Sequence, residues 1–105
     1  MDIKTIQPVV KRYIDSVAKR VKVQAAYLYG SVVQGQSTDE SDVDVLILSE
    51  DFGALNPDDR SKMLYRASVG FPYDLHVYGV TPFEFASASR LSTLGQIREA
   101  SRVLV

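Results

Sequence analysis

The chain has 105 residues, 46% apolar and 24% charged, with a formal net charge of -1. That length closes one modest core, read as a single domain over residues 1–105, with no room for a second domain carrying a second substrate. The near-zero charge gives no electrostatic case for DNA, RNA or an anionic membrane as a bulk partner, and the absence of cysteine excludes disulfides, thiolate zinc sites and a cysteine nucleophile. Met1 to Thr5 lacks a charged-then-apolar leader pattern, and no apolar run approaches the roughly 20 residues that span a bilayer. The chain therefore reads as cytoplasmic.

In chain order, Ile3, Ile6, Val10, Tyr13, Ile14, Val17 and Val21 recur close to the helical period. Thr5 is the expected N-cap, with Pro8 in the first turn, where a missing N–H costs no intrahelical bond. Val23 to Tyr29 is short, aliphatic and aromatic, and ends at Gly30, which predicts a buried strand. A polar stretch follows to Ser41, after one helical turn. Val43 to Leu48 predicts a second strand, Ser49 to Pro57 a loop, and Asp58 to Val69 an amphipathic helix with Met63, Leu64 and Ala67 inward. Pro72 to Tyr78 predicts a third strand broken by Gly79. Thr81-Pro82-x-Glu84 opens a short helix with a cap and a first-position proline. Leu91 to Arg102 reads as helical, and Val103 to Val105 as an edge strand. These elements make an α+β fold in which helices cover a sheet of about three to five strands.

Function concentrates in two places. Gly30-Ser31 closes the first strand, and ten residues later Asp42 and Asp44 open the second. Side chains two apart on a strand point the same way, so the two carboxylates project together. At about 4 Å such a pair repels by about 4 kcal/mol at an effective dielectric near 20, and a cation between its members removes that cost. Asp44 also interrupts Val43 and Val45 in a strand suited to burial, where an unpaired carboxylate costs several kcal/mol. Magnesium suits such oxygen donors, with substrate phosphates and water completing its shell. The two-glycine spacing from Gly30 to Gly35 also occurs in a P-loop, but Gln36-Ser37 stands where that motif needs lysine, so the P-loop is rejected. A strand ending in Gly-Ser before a helical turn can still hold a phosphate on its backbone N–H groups.

With these residues assembled, the chain resembles the DNA polymerase β-like nucleotidyltransferases, and within them the minimal stand-alone domains. The match rests on Tyr27-Leu28-Tyr29 before Gly30-Ser31, on Gly35 four residues after Ser31, and on Ser41 before Asp42-Val43-Asp44. The resemblance implies a mixed sheet flanked by helices, two Mg2+ ions, and transfer of a nucleoside monophosphate from a nucleoside triphosphate with release of pyrophosphate. It also demands a third carboxylate from a later strand, and Asp74 in Tyr73-Asp74-Leu75 answers, followed by the threonine-proline-acidic start at Thr81. The catalytic and metal-binding set is then Asp42, Asp44 and Asp74, with Gly30 and Ser31 holding the nucleotide. His76 shares the predicted face of Asp74, but a lone strand histidine is more often a packed or hydrogen-bonded residue than a catalyst. Tyr27, Tyr29, Tyr73 and Tyr78 lie on predicted strands and are more simply core or sheet-surface residues than platforms for a base.

One departure stands out: Gln34 occupies the place of an arginine that many members carry before the glycine matched to Gly35. No acceptor-binding domain is expected in this length. The resemblance implies ATP as the nucleotide donor and a separate helical protein of the HEPN type as acceptor, in a toxin-antitoxin pair. The competing reading is a non-catalytic module that keeps the fold and neutralises its partner by contact.

Overall fold

The computed structural model describes residues 2–36 and 42–104. Helix α1 spans Ile3–Val17, strand β1 Ala25–Tyr29, β2 Val43–Leu48, α2 Pro57–Ser68, β3 Leu75–Val80, α3 Pro82–Ser87, α4 Thr93–Ala100 and β4 Arg102–Val103. Short 3-10 turns occupy Gly30–Val32 and Glu50–Ala54. The described residues thus form the expected α+β arrangement, a mixed sheet with helices packed on it.

Among the described residues the sheet has four strands in the order β3-β2-β1-β4. β1 is antiparallel to both β2 and β4, whereas β2 and β3 are parallel and joined by α2. The parallel pair requires that crossover, because two parallel strands cannot be joined by a tight turn. One face of the sheet, with Ala26, Leu28, Val43, Val45 and Ile47, packs against Ile6, Val10, Tyr13 and Val17 of α1 and Leu64 of α2. The opposite face, with Leu46, Leu48 and Val80, packs against Ile97 of α4 and Phe85 of α3. Tyr27 and Phe85 meet there with ring centroids 5.3 Å apart.

Several boundaries differ from the sequence expectation, each for a local reason. Helix α1 begins three residues earlier than a Thr5 cap would allow, because the Asp2 side chain accepts the Lys4 N–H at 3.3 Å. Pro8 therefore lies inside the helix, on its exposed side, where the apolar stripe of the other face outweighs one missing backbone bond. The helix ends at Val17, but Val21 stays buried in the core beyond it. Gly79 continues β3 instead of breaking it: a Cβ there would come within 2.9 Å of Leu64 and Phe52, so the glycine lets α2 and the Glu50–Ala54 turn approach the strand. Ser92 caps α4, shortening the Leu91 to Arg102 helix at both ends. β4 falls at Arg102–Val103, while Val105 of the expected edge strand, like the polar residues 37–41, lies outside the described residues. No helix among the described residues is long and apolar enough to cross a membrane.

Two polar contacts tie the layers together. The Tyr13 hydroxyl donates to the Leu64 carbonyl at 2.8 Å, a buried bond joining α1 to α2. Arg60, with a side chain only 12% exposed, donates to the carbonyls of Phe52, Leu55 and Gly79 and to Glu84 Oε1 at 2.8 Å. One guanidinium thereby joins α2, the Glu50–Ala54 turn, β3 and α3. Truncation of Arg60 to Met leaves three carbonyls without this donor and is expected to cost about 2–4 kcal/mol, read from the urea midpoint.

Glu84 closes a reciprocal cap with Thr81. The Thr81 backbone N–H, and then Arg60, hold the Glu84 carboxyl below its usual range. A carboxyl whose pKa is lower in the folded state stabilises above its unfolded value and loses that contribution as pH falls through the folded one. The stability gap between wild type and Glu84→Gln is therefore expected to be present at neutral pH and to close below about pH 4, as checked by thermal unfolding across that range.

Candidate functional site

The carboxylates, the glycine turn and a histidine meet at one end of the sheet. α3 and α4 cover the end of the second face that carries Leu46, Leu48 and Val80, and leave open the end that carries Asp44. Within β2, where every other residue is buried, Asp44 alone is partly exposed, at 23% for its side chain. Its register neighbours are Tyr29 on β1 and His76 on β3.

β1 runs into Gly30, whose φ of +77° lies in the left-handed region. The glycine has a second requirement, because a Cβ at this position would overlap the Asp44 carboxylate. The turn Gly30–Val32 thus lies directly against the strand that carries the acidic pair. Its first N–H groups head a helical turn, where no carbonyl of the same turn precedes them. Beside Gly30 opens a cleft of about 240 Å³, lined by Tyr29, Gln34, Thr93, Gln96 and Ile97. Gln34 brings a neutral amide to this cleft.

Burial pushes the Asp44 carboxyl above its ordinary range, and the like charge of Asp42 adds to the shift, while the hydrogen bond and charge of His76 oppose it. The His76 Nδ1 lies 3.4 Å from Asp44 Oδ1, on a side chain that is 77% exposed. Burial, then Asp44 and Tyr78, push the Tyr29 phenol up to about 12. Tyr29 therefore stays protonated beside Asp44 at neutral pH.

Asp42 stands exposed immediately before β2, and Asp74 exposed immediately before β3. Their backbones are neighbours: the Val43 N–H donates to the Asp74 carbonyl at 2.9 Å, and Val43 is in register with Leu75. Asp74 also lines a cleft of about 280 Å³ with Tyr65, Ser68, Val69 and Phe71 of α2 and the loop after it. Among the described residues no three carboxylate or imidazole groups stand close enough to hold a metal ion. The structure thus sets Gly30 against Asp44 and places Asp74 at the level of Asp42 on the neighbouring strand. The side chain that contacts Asp44 from β3 is His76.

Sequence reasoning gave His76 and Tyr29 no part in the site. The signal available was alternation along Asp74, His76 and Tyr78. Finding the contact also requires the parallel register of β2 with β3, which periodicity does not contain.

A glycine turn pressed against an Asp-x-Asp strand in a mixed, helix-covered sheet defines a nucleotidyltransferase-like domain. The family model described as Polymerase beta, Nucleotidyltransferase matches residues 11–81, so the chain belongs to that family. The matched span holds the turn, all three aspartates and His76. Among solved structures, a proposed nucleotidyltransferase from Sulfolobus solfataricus superposes with a TM-score of 0.70 at 19% identity, over 94% of this chain and 78% of that one. A toxin-antitoxin structure with AMP-PNP superposes with a TM-score of 0.67 at 21% identity, over 94% of this chain and 72% of the other. At these identities the likeness establishes the fold. No curated protein matches the chain.

Two outcomes are expected from this geometry. Gly30→Ala meets both a left-handed backbone and the Asp44 carboxylate, and should destabilise by about 2–4 kcal/mol, whereas Gly35→Ala, also at positive φ but facing open space, should cost about 1 kcal/mol in the same denaturant titration. The raised Asp44 pKa means that the folded protein loses stability as pH rises through the carboxylate range. In protein stripped of divalent cations, Asp44→Asn should therefore melt at a higher temperature than wild type at neutral pH, and the advantage should disappear in acid.

Proposed function

We propose that the protein is a magnesium-dependent nucleotidyltransferase that moves AMP from ATP onto a separate protein of the HEPN type, as one half of a toxin-antitoxin pair. The observation that carries this reading is the contact between Gly30 and Asp44, which puts a phosphate-binding type of turn against a partly desolvated carboxylate. The neighbour described as a toxin-antitoxin with AMP-PNP supports an adenine nucleotide and a toxin-antitoxin setting.

The donor set suits magnesium. Asp42 and Asp44 are hard oxygen ligands, and Mg2+ is usually held by one or two carboxylates with substrate phosphates and water, so a closed protein cage is not required. The burial-raised pKa of Asp44 fits a carboxylate whose ionised form is completed by a cation. In this proposal Asp42 and Asp44 hold two ions, with Asp74 as a further ligand or as the base. The ions supply charge neutralisation for the triphosphate and the departing pyrophosphate.

The chain's own residues do the positioning. Ser31 and the N–H groups of its turn hold phosphate oxygens, and the cleft beside Gly30 takes the rest of the nucleotide. An acceptor hydroxyl gives its proton to Asp74 and attacks the α-phosphorus. The bond from that phosphorus to the oxygen bridging to the β-phosphate breaks, and pyrophosphate leaves. Orientation in line with the leaving oxygen is the principal demand on the protein.

The purified chain, incubated with the candidate partner, magnesium and α-labelled ATP, is expected to transfer label to the partner. Transfer no greater than that of a combined Asp42→Asn and Asp44→Asn control would sink the proposal. Gln34, where many members have arginine, favours a second reading in which the domain neutralises its partner by contact. Rescue assays separate the two: full neutralisation by the folded double variant supports contact, and loss of rescue with binding intact supports transfer.

A further inference from the structure

We propose that His76 is a ligand to the metal ion at Asp44, giving a mixed nitrogen and oxygen site that prefers Mn2+ or a heavier first-row dication over Mg2+. This rests on the proposed metal site and adds a ligand to it, on three observations.

The first is register. His76 is the direct partner of Asp44 across the parallel β2–β3 pair, so both side chains leave the same open face of the sheet at the same level. The second is distance. His76 Nδ1 and Asp44 Oδ1 are 3.4 Å apart, beyond the 2.7–3.2 Å range of a good N–H···O bond. Two donors each about 2.1 Å from a shared ion lie about 3.0 Å apart in octahedral and about 3.4 Å apart in tetrahedral geometry. At 3.4 Å the contact is a long hydrogen bond, and a small turn of the exposed imidazole brings both donors within reach of one ion. The third is the other half of the carboxylate. The Asp44 oxygen nearest to Gly30 is Oδ2, so the two oxygens face different neighbours, one the glycine turn and the other the imidazole. An ion on the Oδ1 side can therefore be held without disturbing the turn.

The chemical consequence follows from the donor. All-oxygen sites suit Mg2+, Ca2+ and Mn2+, whereas an imidazole adds affinity for the first-row transition dications and little for Mg2+. Two protein donors suffice when triphosphate oxygens and water fill the other positions. His76 is largely exposed, so its ring can turn onto an ion without repacking the core.

The test exploits a feature of composition: the chain has a single histidine. Untagged protein labelled with 15N-histidine is loaded with Mn2+ and α,β-methylene-ATP, whose α–β linkage cannot be cleaved, and studied by pulsed electron paramagnetic resonance. The expected result is a 15N coupling of directly bonded strength, replaced by the 14N pattern in unlabelled protein and absent from His76→Phe. Competition titrations should show the preference for Mn2+ over Mg2+ falling by about tenfold in His76→Phe. Mn2+ that binds in an Asp44-dependent manner without 15N coupling overturns the ligand assignment and leaves the proposed function standing. If Asp44→Asn does not change Mn2+ binding, both fail together. The isotope arm needs no substitution at His76, so the result holds whether or not that variant folds.

Discussion

A carboxylate carried by a strand that is otherwise buried on both faces is the constraint around which this fold is arranged. β2 is the strand shared by both hydrophobic layers, with Val43, Val45 and Ile47 facing α1 and α2, and Leu46 and Leu48 facing α4. Asp44 sits in that strand at the one level where the second layer stops. An ionised group in such a place costs free energy unless a cation or donors surround it. Each neighbour at that level is polar, or small enough to admit the carboxylate: Gly30 from the turn, Tyr29 from β1 and His76 from β3.

The rest of the molecule keeps that end of the sheet open and rigid. Tyr27, Phe85, Ile97 and Val80 pack together on the second face, and Thr93, Gln96 and Ile97 of α4 reach the cleft beside Gly30. Arg60 ties α2, β3 and α3 together through carbonyls that would otherwise lack this donor, and Tyr13 ties α1 to α2. Arg60 also lines a cleft with Tyr29 and His76, the residues in register with Asp44, so its contacts reach the edge of the site. The cost of an ionised Asp44 falls where the substrate and its cation are proposed to bind.

Much of this was legible without coordinates. The second strand was placed at its observed bounds because Val43 to Leu48 is β-branched and apolar, and the Thr81 cap was read from spacing that the structure reproduces as a reciprocal pair of bonds. The family was readable from Gly30-Ser31 and Asp42-x-Asp44, since glycine and carboxylate types at fixed spacing carry their chemistry wherever the fold allows. Helix ends were less legible. Asp2 and Thr5 are both good caps, and their competition was decided by where the apolar stripe meets the sheet. Gly79 was misread as a breaker because its reason for being glycine is the approach of Leu64 and Phe52, residues distant in sequence.

The sequence by itself determined the elements, the α+β class, the family, and the identity of the acidic pair, because these depend on side-chain type, period and local spacing. Only the tertiary structure decided what stands beside Asp44. The parallel register of β2 with β3 brings His76 to its side and Asp74 to the level of Asp42. Register arises from the packing of two layers and a crossover helix, and a change of one residue would reverse every face of β3. That is why the pair could be found in a string of letters, and its third neighbour could not.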